Sequence, residues 1–512
     1  MRPHGGTSPV GSFKTMTTEK TTDSYDHVLK YTGIFGGVQG LNIIVSLVRN
    51  KCVALLLGPN GMGLASLFNT TVTFLSQATN FGISFSAVKN VSELFDRGDE
   101  AAVRHFVKVV RAWSLLTALL GMLLCIVASP LLDRLTFTWG NHTLHFLVLS
   151  LAVGMMAITG GETAILKGAR QLRSLAVIQI VAVLATLVVS IPIYYFFYES
   201  GVVPVIVLMA FVTMGLTIRH SYRLYPLELK GARGLLGEGM GMIRLGVAFV
   251  AAGIIGSGAE MFIRSYMNVS GRDLDFVGLY NAGFMLTVTY VGMVFSAMET
   301  DYFPRLSAVP VGDREGLCHT INRQIEVTLL LVAPMLAAFV VMLPLLVPLL
   351  LSEKFLPMVP MAQVAAFSML LKALSLPMGY TNLARSNSMG YLILETVYYV
   401  VFVLLVIWGF EYWGLLGTGI ALVVSYAVEV LTVGLYIRHR YGYKMSTMVV
   451  RYSAIQFTLC VLAYLTTFIA SPALRWVLGC AMIIASVGVS VAILHKKTSL
   501  WNTLVRKVLK RD

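Results

Sequence analysis

Unbroken apolar runs of about 20 residues recur along the chain from Tyr31 to Leu494, the length a helix needs to cross a hydrocarbon core. They fall at about 31–57, 63–88, 106–128, 145–166, 174–198 and 201–218 in the first half of the chain. In the second half they fall at about 245–268, 276–299, 326–351, 357–381, 391–409, 413–436, 449–470 and 473–494. The pattern predicts an all-α polytopic membrane protein of about 14 transmembrane helices. A membrane barrel would instead show short segments of alternating polarity.

Composition agrees with that class: 57% of the 512 residues are hydrophobic, only 12% are charged, and the mean hydropathy is +0.77. The net charge of +14 reports topology rather than a nucleic-acid partner, because the basic residues are spread over loops with no folded binding module around them. Of the 39 Lys and Arg, only Arg134, Arg272, Lys354 and Arg475 fall on one side and Arg49, Lys51, Arg264 and Lys372 inside spans. All the others fall on the opposite side, which the positive-inside rule makes cytoplasmic, with both termini there. Aromatic clusters at Tyr194–Tyr198 and at Trp408, Phe410, Tyr412 and Trp413 suit the far interface. The basic loops also predict contact with anionic membrane lipids.

The first thirty residues are polar and lack the apolar core of a signal peptide, so the first span is expected to direct insertion and the tail to lie outside regular structure. Residues 92–111 are expected to form a surface elbow into the third span. Residues 496–512 place Leu500, Trp501, Leu504 and Val508 on one face of a basic amphipathic helix suited to the inner headgroup layer.

Intramembrane ionisable residues are the candidate chemistry. A cation at mid-bilayer costs roughly 2.5–3.5 kcal/mol on insertion scales. Gln39, Asn42, Ser46, Arg49 and Asn50 recur at three- and four-residue spacing on one face of the first span, the natural lining of a hydrated cavity. Lys51 lies about 200° round from Arg49, so both cannot face one cavity on a regular helix; Lys51 could instead snorkel toward the outer interface. In the second span Thr70, Thr73, Gln77, Asn80 and Ser84 share a face that must meet water or protein. Those groups suit sugar contact and interhelical hydrogen bonding equally. Glu260 and Arg264 are spaced to close an intrahelical ion pair. Lys372 could pair with Glu395 or Glu429, or meet a phosphate, and Glu260, Glu395 and Glu429 are candidates for ion coupling. Glu162 is expected to reach the surface at the inner end of its span.

A shift of 215 positions aligns Gly63 and Leu64 with Gly278 and Leu279, and Arg49 with Arg264. The chain then divides into an N-tail (1–30), a six-helix lobe (31–222), a cytoplasmic linker (223–244), a second six-helix lobe (245–438), two extra helices (439–495) and a basic tail (496–512). Such an arrangement suits a transporter with its substrate between two parallel halves.

The run Lys51-Cys-Val-Ala-Leu-Leu-Leu-Gly58-Pro59-Asn-Gly-Met-Gly63-Leu64, followed by a polar second span ending near Asn80-Phe-Gly82, resembles the opening of the Wzx-type lipid-linked oligosaccharide flippases. The O-antigen and enterobacterial common antigen translocases belong to that group, within the multidrug/oligosaccharidyl-lipid/polysaccharide exporter superfamily. The resemblance implies two lobes around a central cavity in the bacterial inner membrane. It also implies alternating access and a glycan carried on undecaprenyl pyrophosphate for surface polysaccharide such as lipopolysaccharide. It points to Lys51 as a cavity cation, and by chemistry extends the set to Arg49, Arg264 and Lys372, with Gln39, Asn42, Gln77 and Asn80 for the sugars. A polysaccharide polymerase and a chain-length regulator are the partners it suggests; it calls for no cofactor.

Other classes fit less well. A cation-coupled multidrug exporter should have acidic cavity residues, and the first two spans contain no intramembrane carboxylate; a lipid II flippase is nearer. A membrane glycosyltransferase would need a catalytic constellation and a sizeable outer loop, whereas the longest, near 131–145, is short and its Asp133, His142 and His145 suit surface solvation. The five cysteines sit mostly within apolar runs and match neither a disulfide framework nor a metal spacing.

Overall fold

A computed structural model of the protein describes residues 16–228, 234–270 and 274–497. Fifteen α-helices follow one another: α1 (Met16–Thr79), α2 (Ile83–Asp96), α3 (Glu100–Thr136), α4 (Thr143–Gly168), α5 (Leu172–Phe197), α6 (Val202–Leu224), α7 (Leu235–Glu238), α8 (Met240–Val269), α9 (Leu274–Phe284), α10 (Val291–Ser307), α11 (Arg314–Leu350), α12 (Val359–Ala384), α13 (Ser388–Tyr441), α14 (Thr447–Thr466) and α15 (Pro472–Lys497). A π-helical turn, Met285–Tyr290, joins α9 to α10.

Nine helical stretches among the described residues are long and apolar enough to cross a membrane, and three of them contain a reversal that makes two crossings of one. Gly58 (φ 66°) followed by Pro59 breaks α1 and Gly414 (φ 58°) breaks α13, left-handed conformations that only glycine adopts without strain. The short turn Tyr198–Gly201 does the same between α5 and α6. With α8 and the α9–α10 unit the count comes to about fourteen. On the face carrying the basic loops, Asp99, Asp313, Asn387 and Ser446 cap α3, α11, α13 and α14 by accepting from Ala102, Gly316, Gly390 and Val449 backbone amides.

The N-terminal expectation needs correction. Helix α1 begins at Met16, so residues 16–30 continue the first span instead of lying outside regular structure, because a polar stretch running into a spanning helix prolongs it at no nucleation cost. Residues 1–15, the amphipathic tail beyond Lys497 and Arg272 lie outside the described residues.

The helices form two lobes. Their largest buried cluster is shared, with Val53 through Leu75 of α1 packed with Ile263, Met267 and Leu274 through Leu286. Toward the basic face the clusters separate. One joins α2, α3 and α4 to the linker and the start of α8, and the other joins α10, α11, α12 and α13. The lobes therefore close against each other on the far side and part toward the basic side.

The closure lies where the halves repeat. A Cβ on Gly278 would run into the Pro59 carbonyl oxygen, and one on Gly63 would lie 2.6 Å from that of Leu274, so the two spans cross backbone to backbone. A Cβ on Gly63 would also lie 2.9 Å from the Gly278 amide nitrogen, and Ser66 Oγ donates to Asn281 Oδ1 at 2.9 Å; Gly63 and Gly278, like Ser66 and Asn281, are 215 positions apart. Only residues on a two-fold axis touch their own counterparts, so the offset found in the sequence marks a pseudo-two-fold axis through this crossing.

Candidate functional site

Arg49 and Arg264 occupy equivalent positions of the two halves but meet different surroundings. Arg264 is 4% exposed at the axis. Its guanidinium donates to Ser66 Oγ at 2.9 Å and to Asn281 Oδ1 at 3.4 Å, and it pairs with Glu260 one turn earlier at 3.2 Å. The residue one turn before Arg49 is Val45, buried and apolar, so the first half carries the cation without the carboxylate.

Arg49 lines a chamber of about 470 Å³ inside the N-terminal lobe, walled by α1, α4, α5 and α6. Asn69, Thr73, Thr159, Thr186, Ser190 and Tyr194 contribute its polar surface, and among the described residues no carboxylate lines it. The hydroxyls of Thr159 and Thr186 donate back to the carbonyls of Met155 and Ala182, which leaves their lone pairs for donors in the chamber. Ser190 Oγ is buried and lacks a partner. The chamber thus combines a guanidinium fork with groups suited to phosphate and to sugar hydroxyls.

The other candidates sit elsewhere. Lys51 Nζ donates to the Pro348 carbonyl at 2.5 Å, in the last turn of α11, and so clasps the two lobes on the far side rather than entering the Arg49 chamber. Asn50 Nδ2 reaches Met285 Sδ at 3.1 Å, on the π-helical turn of the other lobe. Gln39 lies in α1, its side chain outside the described set. Asn42 Oδ1, Gln77 Oε1 and Asn80 Oδ1 are buried without a hydrogen-bond partner among the described residues. Gln77 faces α8, its Oε1 3.0 Å from where a Cβ on Gly253 would stand, so this orphaned acceptor sits between the lobes. Asn80 Nδ2 donates to Ser84 Oγ at 2.9 Å. Lys372 lies 5.6 Å from the ring of Phe295 and interacts electrostatically with both Glu395 and Glu429, forming a separate charged group in the C-terminal lobe.

One expectation is overturned. Glu162 does not reach the surface: it is 3% exposed and accepts from Arg111 Nε at 2.9 Å and Nη2 at 3.3 Å. Arg111 also donates to the carbonyls of Tyr225 and Pro226 and lies over the Tyr222 ring at 4.1 Å. The linker folds back over the inner end of α4 and supplies carbonyls to Arg111, an arrangement no local pattern announces. Ser66, Asn281, Ser190 and Tyr194 were likewise missed as site residues; the 215-residue offset, extended three positions, would have paired Ser66 with Asn281.

At the far end, the loop between α3 and α4 packs His142 against Phe68 and Phe137, its ring 4.1 Å from that of Phe137. Burial, with His145 beside it, pushes the His142 imidazole below its ordinary value. On the basic face, Lys108 binds Glu228 at 2.7 Å and holds that carboxyl below the usual range, tying the linker to α3.

The polysaccharide biosynthesis protein family matches residues 52–360 of the chain. The lipid III flippases of Escherichia coli (strain K12) and Shigella flexneri are each 24% identical over 405 residues, covering 76% of this chain and 92% of theirs. Among solved structures, the lipid II flippase MurJ in an inward closed conformation superposes with a TM-score of 0.68 at 14% identity, over 90% of this chain and 99% of that one. An inward-facing multidrug resistance MATE transporter of the MOP superfamily gives 0.65 at 16% identity, over 78% and 94%. These structures establish the shared fold, and the relatives are flippases and transporters rather than enzymes.

Proposed function

The chain belongs to the polysaccharide biosynthesis protein family, and from that premise we propose that it translocates a lipid-linked oligosaccharide across the bacterial inner membrane for surface polysaccharide assembly. The finer reading is a glycan on undecaprenyl pyrophosphate, moved from the cytoplasmic to the outer leaflet by alternating access, with both termini cytoplasmic. The similarity to lipid III flippases supports the cargo class. The observation that carries the reading is Arg49, an intramembrane guanidinium in a polar chamber that no carboxylate lines among the described residues.

The physics is simple. A pyrophosphate headgroup cannot cross hydrocarbon unaided, whereas its polyprenol tail is at home there. The protein has only to shelter the head in a wet, cationic recess. Arg49 supplies planar, bidentate phosphate binding; Gln77 and Asn80 offer unsatisfied acceptors to the sugar hydroxyls. Arg264, already neutralised by Glu260, serves at the pivot between lobes, and Lys51 holds the far-side clasp. Cargo entering from the basic side would discharge Arg49 and favour the closure that precedes outward opening. An inside-negative potential would favour expulsion of a negative head, at about 2.3 kcal/mol per charge per 100 mV.

A second reading within the superfamily, a cation-coupled exporter, is favoured by Glu395 and Glu429 around Lys372 in the C-terminal lobe. Lipid II is the nearest alternative cargo. A transfer assay in proteoliposomes separates them, with fluorescent undecaprenyl-pyrophosphate oligosaccharide, lipid II and a cationic dye offered in turn. The proposal expects transfer of the oligosaccharide lipid; movement of the dye alone would reverse the ranking.

A further inference from the structure

The face carrying the basic loops has a recess of about 850 Å³ at the end of the C-terminal lobe, separate from the Arg49 chamber. It lies between the turn after α10, the turn between α12 and α13, and the end of α13. Arg314, Arg385 and Arg440 line it, against the single carboxylate of Asp313. That carboxylate is engaged as the N-cap of α11, accepting from the Gly316 amide at 2.8 Å. Among the described residues no carboxylate forms an ion pair with any of the three arginines. A positive-inside bias accounts for basic loops in general, but it does not require three guanidiniums to converge on one hollow.

The walls are fixed by specific bonds. Arg385 donates to the carbonyls of Val309 at 2.8 Å and Pro310 at 3.2 Å, so part of its five-donor fork is left to face the recess. Arg314 lies across Gly442, whose positive φ of 71° ends α13; its Cδ would be 3.2 Å from a Cβ there. Asn387 donates to the hydroxyls of Tyr436 at 2.9 Å and Tyr441 at 3.1 Å, holding Tyr441 as another wall. Val311, which lines the recess, is 92% exposed at the loop tip, and Met389, two residues beyond the lining Asn387, is 66% exposed. Arginine forks beside protruding apolar side chains match the boundary between headgroups and acyl chains.

We propose that this recess binds the phosphate of an anionic phospholipid headgroup, bridging the ends of α10, α11, α12 and α13. The bound phosphate would neutralise the three arginines and stiffen the loop that follows the span next to the lobe interface. This site is independent of the cargo reading.

The test uses the full-length protein in a neutral detergent. Thermal unfolding and native mass spectrometry are followed with phosphatidylglycerol, phosphatidylcholine or inorganic pyrophosphate added. Phosphatidylglycerol should raise the unfolding temperature and stay bound, and Arg314→Gln with Arg440→Gln should weaken its binding about tenfold or more. This pair spares Arg385, whose loop contacts serve folding. Arg97→Gln with Arg173→Gln, equally basic and exposed on the same face, should leave binding unchanged. If pyrophosphate binds with the same arginine dependence and displaces the lipid, the phosphate site stands. Equal loss in the control pair, equal binding of phosphatidylcholine, or no arginine dependence would overturn it.

Discussion

Replacing Arg49 by glutamine separates stability from transport, because among the described residues no carboxylate lines the chamber to be left behind. Removing an intramembrane cation recovers up to about 2.5–3.5 kcal/mol on insertion scales, so Arg49→Gln should hold or raise the unfolding temperature. Transport should fall. One charge-assisted contact to a phosphate is worth about 1.5–3 kcal/mol, or roughly 10- to 150-fold in rate. The equivalent change at Arg264 should behave in the opposite way. It strips the guanidinium from Ser66, Asn281 and Glu260, and breaking one partner of a buried pair costs about 3–5 kcal/mol. Glu260 is 39% exposed along its side chain, which places the cost at the low end. The assay is lipid-linked oligosaccharide transfer in proteoliposomes beside thermal unfolding of the same preparations. Wild-type transfer by Arg49→Gln, or transfer lost only in step with stability, would refute the assignment of Arg49 to cargo.

Glu162→Gln should destabilise the inner end of the N-terminal lobe by about 3 kcal/mol, since it leaves Arg111 buried without its carboxylate; denaturant unfolding would register the shift. Gly278→Ala should force the crossing spans apart, because the new methyl meets the Pro59 backbone, and a Ser66→Cys/Asn281→Cys pair should cross-link in the parent and not in that background. His142 has a folded value below the ordinary 6.5, so its neutral form is favoured by folding; the stability it contributes is present above 6.5 and is lost as pH falls toward the folded value. The protection of residues 137–142 against hydrogen exchange, taken relative to the intrinsic exchange rate at each pH, should therefore fall as pH drops below 6.5, and His142→Gln should remove the effect; protection independent of pH would count against it.

The sequence by itself determined the class, the positions of the spans and the side of the membrane that gathers basic charge, because each follows from runs of about 20 residues and from loop composition. It also determined the separation of Arg49 from Lys51, since helical periodicity places them on opposite sides of one helix. The 215-residue offset was legible too, although three matched positions could not say that the matched glycines touch. Tertiary structure alone decided which cation is neutralised. Arg264 has Glu260 one turn away and Arg49 has Val45, but that Ser66 and Asn281 complete the seal around Arg264 depends on two spans crossing at the axis. The burial of Glu162 under the linker, the Lys51 clasp on Pro348 and the convergence of Arg314, Arg385 and Arg440 likewise bring together residues far apart in the chain. A local pattern sets which face of a helix is polar; what that face meets is set by packing between helices, where the desolvation of a charge makes each placement count.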